Sequence, residues 1–112
     1  MKSMLRAAAA AMCAAVAMSM AQAAPDADAA QALAKKNDCF KCHSIDKTKK
    51  GPSFQKISAK YKGKADGEDK VIKNFTTGPK VKLEDGTEED HKIIDTKDAK
   101  ALKNLADWIL SQ

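Results

Sequence analysis

Beyond residue 20 the chain contains no methionine; all five, Met1, Met4, Met12, Met18 and Met20, lie before that point. Aromatic residues are scarce, with one tryptophan, one tyrosine and three phenylalanines, and there are only two histidines, His43 and His91. So few aromatics, with lysines mixed among acids along most of the chain, weigh against a nucleic-acid interface. No apolar run reaches the roughly 20 residues that a bilayer-spanning helix needs; the longest, Ala7 to Met20, has about 14. Strand signals are almost absent, and neither an internal repeat nor a linker long enough for a second domain is found. These absences leave one small, mostly helical unit.

The first residues read as a targeting segment. Lys2 and Arg6 give a positive start, the apolar run follows, and Ala21-Gln22-Ala23 supplies a small-x-small cleavage pattern. The expectation is a cleaved export signal over residues 1–23 and a single domain over residues 24–112. Cys13 is no lipid anchor on this reading, because bulky Met12 precedes it and it lies inside the apolar run. Removal of Lys2 and Arg6 lowers the net charge from +5 to +3. The remaining chain is short enough that a staple or cofactor is expected to help its core. Core candidates are Ile45, Phe54, Ile57, Val71, Ile72, Phe75, Ile93, Ile94, Leu102, Leu105, Trp108 and Ile109.

About four short helices are expected. Pro25, Asp26 and Asp28 can start one that runs to Asn37, and its alanines suit close approach to another helix. Pro52 at a first helical position begins a second through Tyr61. Glu68 to Phe75 fits a third, ended by Gly78-Pro79. Asp95 or Thr96 can cap the last, in which Leu102, Leu105, Ala106 and Ile109 recur at helical spacing. Between these last two, Asp85-Gly86 signals a turn, weak evidence for a small hairpin.

The chemistry is concentrated in Cys39-Phe40-Lys41-Cys42-His43. Two thiols three residues apart can serve a redox pair, a disulfide or a metal site, and Cys39, Cys42, His43 and His91 could supply four zinc ligands. A thioredoxin-like pair wants a βαβ setting that this chain does not offer. Histidine directly after the second cysteine is required only for covalent haem attachment, so the motif is read as that.

Around the motif, Cys39 to Asp46, Gly51-Pro52-Ser53-Phe54 and the closing Leu105-Ala106-Asp107-Trp108-Ile109-Leu110-Ser111-Gln112 together resemble the small bacterial class I cytochromes c. The resemblance covers nearly all of residues 24–112 except 76 to 95. It implies a compact all-α fold around one covalently attached haem c, with the first and last helices crossing. It also implies that Cys39 and Cys42 form the thioethers and His43 is the proximal iron ligand. Pro52 matches the proline whose carbonyl orients that imidazole, and Trp108 matches an aromatic packed near the haem; an ordinary core role suits Trp108 equally well.

The sequence departs from this family at the iron's other face, where a methionine is the rule and none is present. His91 stands in the loop ahead of the last helix, about where that methionine would be. The expectation is a pair of axial histidines, His43 and His91, and a lowered potential, because methionine ligation raises it. The rival placement leaves His91 on the surface among Glu88, Glu89, Asp90 and Lys92. Residues 35–64 hold ten lysines against two acids, whereas residues 84–90 hold five acids and no base. Such asymmetry can orient a redox partner at a lysine-rich haem edge. The resemblance thus implies an exported, periplasmic one-electron carrier between a redox donor and acceptor, without enzyme activity or a stable membrane anchor. The alternative is a gas-binding or gas-sensing haem protein with an exchangeable distal site.

Overall fold

A computed structural model describes residues 24–112. The expected export segment and its cleavage point lie outside the described residues. Helix α1 spans Ala27–Lys36 and opens on Asp26, whose carboxylate accepts from the Ala29 amide. A single turn, α2, covers Cys39–Cys42. Helix α3 (Phe54–Tyr61) starts after Ser53, whose hydroxyl accepts from the Lys56 amide at 3.1 Å. Helix α4 (Gly67–Thr77) ends at Gly78 in the left-handed conformation, φ 63°, the geometry that favours glycine at a helix stop. Strands β1 (Lys80–Lys82) and β2 (Glu88–Asp90) then pair antiparallel, and α5 (Ala99–Leu110) closes the chain.

Helix α5 is the organising element, packing against α1, α3 and α4. Its buried stripe of Leu105, Ala106, Trp108 and Ile109 meets Ala30 and Ala34 of α1, Phe54 of α3, and Val71 and Phe75 of α4. The alanines let α1 approach closely, as their spacing suggested. The contact is pinned from both directions at its end: the Asp26 amide donates to Asn104 Oδ1 at 2.8 Å, and Asn104 Nδ2 donates to the Asp26 carbonyl at 2.9 Å. Ser58, nearly fully buried, ties α3 to the far end of α5 by donating to the Leu110 carbonyl at 2.7 Å.

Three expectations need correction. Pro52 lies outside α3, because Ser53 supplies the cap and the Pro52 carbonyl turns toward His43. The cap of α5 is Asp98, not Asp95 or Thr96; Asp98 accepts from the Lys100 amide at 3.0 Å, while the Asp95 amide is held by Asn37. Ile45 and Ile93 are exposed, at 38% and 57%. Ile93 lies outside while its neighbour Ile94 is buried in the core.

The hairpin is real. Lys80 pairs with Asp90, Val81 with Glu89 and Lys82 with Glu88, so two of its three cross-strand pairs join opposite charges. At its tip Asp85 accepts from the Thr87 amide and hydroxyl at 3.0 and 2.6 Å, and Gly86 takes φ 84°. The hairpin's base leads directly into His91, whose amide donates to the Pro79 carbonyl at 2.8 Å.

Candidate functional site

The five-residue motif is placed by a sharp local path. Helix α1 stops at Asn37, Asp38 turns the chain with φ 59°, and one helical turn carries Cys39 to Cys42. Both cysteines are half-buried and neither is in a disulfide. Burial pushes the Cys39 thiol up, with the Lys92 ammonium pulling the other way, so the group is held as a neutral thiol. His43 follows in extended backbone and returns toward the loop after it, bridging to Thr48.

The His43 ring is tightly framed. Its Nδ1 lies 2.6 Å from the Pro52 carbonyl, and Phe54 stacks on it with centroids 5.3 Å apart and planes 26° apart. A carbonyl only accepts, so Nδ1 carries the proton and Nε2 keeps its lone pair. Burial holds the imidazole below its usual pKa, against the Pro52 carbonyl, which favours the charged form. The ring is therefore a neutral, oriented ligand, the state metal binding requires. Gly51 is part of this frame, because a Cβ there would stand 2.9 Å from His43 Cε1.

His91 faces His43. The ring centroids are 6.1 Å apart and the planes 36° apart. His91 Nδ1 also lies on a carbonyl, that of Lys92, at 2.8 Å, so the same argument leaves its Nε2 free. His91 is half-buried, with Glu88, Glu89, Asp90 and Lys92 around it exposed. Among the described residues, no group of three or more His, Cys, Asp and Glu side chains is gathered as a metal site.

Trp108 is buried beside the site, edge-on to Phe54 at 5.4 Å and to Phe40 at 6.4 Å. It forms one aromatic cluster with the two phenylalanines, and Phe54 links that cluster to His43. Sequence reasoning placed Phe54 in the core but missed its stacking on His43, and it overlooked Asn37 and Gly51. Gly51 and Phe54 had a signal, since both belong to the Gly51-Pro52-Ser53-Phe54 run. Asn37 had none beyond its place two residues before Cys39.

The family model for cytochrome c matches residues 27–112. The chain belongs to the cytochrome c family. Its likeness to solved members is substantial: it is 56% identical to the class 1 cytochrome MtoD from Sideroxydans lithotrophicus ES-1, with a TM-score of 0.75, covering 79% of this chain and 97% of that one. Against wild-type cytochrome c552 from Nitrosomonas europaea it is 33% identical, with a TM-score of 0.59 over 72% of this chain and 96% of that one. A sequence match to cytochrome c-551 of Allochromatium vinosum is 36% identical over 55 residues and spans 58% of that relative's length. This is a small class I c-type cytochrome, mostly helical, whose family carries one covalently attached haem c with its iron. Among the described residues no helix is long and apolar enough to cross a membrane.

Proposed function

We propose that this cytochrome c is a periplasmic one-electron carrier whose iron is held by His43 and His91, with Cys39 and Cys42 forming the thioether bonds. The observation that carries the ligand pair is the disposition of the two imidazoles. Each gives Nδ1 to a backbone carbonyl, which leaves both Nε2 atoms available, and the rings stand 6.1 Å apart. Two metal–imidazole bonds of about 2 Å, plus roughly 1 Å from each nitrogen to its ring centre, span roughly 6 Å. The residues present therefore fit the group. Among the described residues there is no methionine to compete.

The bound haem supplies a one-electron couple; the chain supplies its setting. His43 is oriented by Pro52 and Phe54, and with its Nδ1 on the Pro52 carbonyl its Nε2 is the atom left to serve as ligand. Imidazole in place of the usual thioether favours the oxidised iron, so the midpoint potential is lower than with methionine.

Charge supports docking at the haem-motif edge. Lys41 and Lys49 are engaged internally, with the Asp38 carboxylate at 3.4 Å and the Phe40 carbonyl at 2.8 Å. Lys47 and Lys50 are exposed and, among the described residues, carry no ion pair, which makes them the cations offered to a partner. Redox titration of the wild type against His91→Met tests the ligand assignment. The variant's midpoint is expected to rise; an unchanged potential and spectrum would remove His91 from the iron.

A further inference from the structure

Three consecutive residues at the end of α1, immediately ahead of the haem motif, reach across to the segment that follows His91. Lys36 Nζ lies 3.5 Å from an Asp95 carboxylate oxygen, Asn37 Oδ1 accepts from the Asp95 amide at 3.0 Å, and Asp38 Oδ2 lies 3.3 Å from Lys92 Nζ. The two ion pairs are exposed, with side chains about half or more accessible, and such pairs contribute little in water. The amide contact differs. Asn37 is 2% exposed, and its Nδ2 donates to the Leu33 carbonyl at 3.0 Å while its Oδ1 takes the Asp95 amide. Both ends of a buried side chain are thus committed, one to the helix that leads into Cys39 and one to the loop that leads out of His91.

Among the described residues, the segment around His91 has two other backbone tethers to the body, His91 N–H to the Pro79 carbonyl and Ile94 N–H to the Phe75 carbonyl, each 2.8 Å. The first belongs to the exposed hairpin's own base and moves with it. Loss of the Asn37 side chain removes a part-buried tether and leaves the Asp95 amide without that partner. From this juxtaposition we infer that Asn37 is the positioning residue for the distal ligand, a latch that holds the His91 segment against the haem-motif helix and keeps the distal side of the iron closed. The inference rests on His91 being that ligand.

Carbon monoxide binding to the ferrous holoprotein reads the latch, because the gas binds only when the distal ligand is away. In Asn37→Ala the binding rate is expected to rise about 5- to 150-fold, the equivalent of 1–3 kcal/mol of lost hold. Asp38→Ala and Lys92→Ala should change it less than about 5-fold. Ser58→Ala, which breaks a buried side-chain bond remote from His91, separates local release from general loosening. A rise of the same size in Ser58→Ala, or none in Asn37→Ala, overturns the latch. If wild-type protein already binds the gas at once and Asn37→Ala matches it, the histidine-pair reading fails first. Should Asn37→Ala not fold, amide hydrogen exchange in the wild-type holoprotein decides. The Asp95 amide is expected to be protected as strongly as the distal site is closed to carbon monoxide, and an unprotected Asp95 amide overturns the inference.

Discussion

Gly51 shows how closely single residues bound this site. Its missing side chain leaves room for the His43 ring; a Cβ would meet His43 Cε1 at 2.9 Å, Nδ1 at 3.3 Å and the Cys42 carbonyl at 3.4 Å. The imidazole is held from the other side by Phe54 and at Nδ1 by Pro52, so it has nowhere easy to go. Gly51→Ala is therefore expected to destabilise the holoprotein by about 1–3 kcal/mol, as overpacking does, and to perturb the haem absorption bands. Thermal melting with a visible spectrum checks both, and a variant identical to wild type in both would show the frame to be loose. The haem motif and the candidacy of His91 were legible in the sequence because covalent attachment fixes residue types at fixed spacing, and because two histidines and no methionine after residue 20 leave few choices. The constraint on Gly51 and the buried bonds of Asn37 were not, since each depends on a residue that only folding brings near.

At the scale of elements, the alanine-rich face of α1 and the apolar stripe of α5 were readable from composition and period, and they do pack together. Leu105 is 1% exposed at this junction, so Leu105→Ala is expected to cost about 2–5 kcal/mol, measured by denaturant unfolding of the holoprotein. A cost below 1 kcal/mol would mean that α5 is not the central packing element. The start of α5 was less readable, because Asp95, Thr96 and Asp98 are all good cap residues in the sequence. The choice was made by tertiary contacts: Asn37 takes the Asp95 amide, the Thr96 hydroxyl accepts from the Asp98 amide, and Asp98 is left to cap. The hairpin was equally underdetermined, since one Asp-Gly pair is a common turn. Its opposed lysines and acids become informative only once the register is known.

For the whole molecule the relevant quantity is the distribution of charge around the site rather than the net value. The lysine-rich stretch and the acidic hairpin touch, since the Glu84 amide donates to the Lys50 carbonyl at 3.4 Å; the Asp85 carboxyl beside them is held below its usual pKa range chiefly by its hydrogen bonds from the Thr87 hydroxyl and amide, with Lys50 adding a smaller pull. Over the haem-motif edge the cations outnumber the acids, so an anionic reactant is favoured there. Oxidation of the ferrous protein by hexacyanoferrate is expected to be fastest at low salt and to slow as salt screens the field. Lys47→Glu with Lys50→Glu should lower that low-salt rate several-fold and flatten its salt dependence, with little change in midpoint potential. A rate indifferent to both substitutions at low salt would show that these lysines do not steer.

The pairing of His43 with His91 is tested most directly by visible spectra of the ferrous and ferric holoprotein, wild type beside His91→Ala. The wild type is expected to show six-coordinate, low-spin iron that resists carbon monoxide, and the variant high-spin iron that binds it quickly. High-spin wild-type iron, or a variant whose spectra and carbon monoxide binding match those of the wild type, would contradict it.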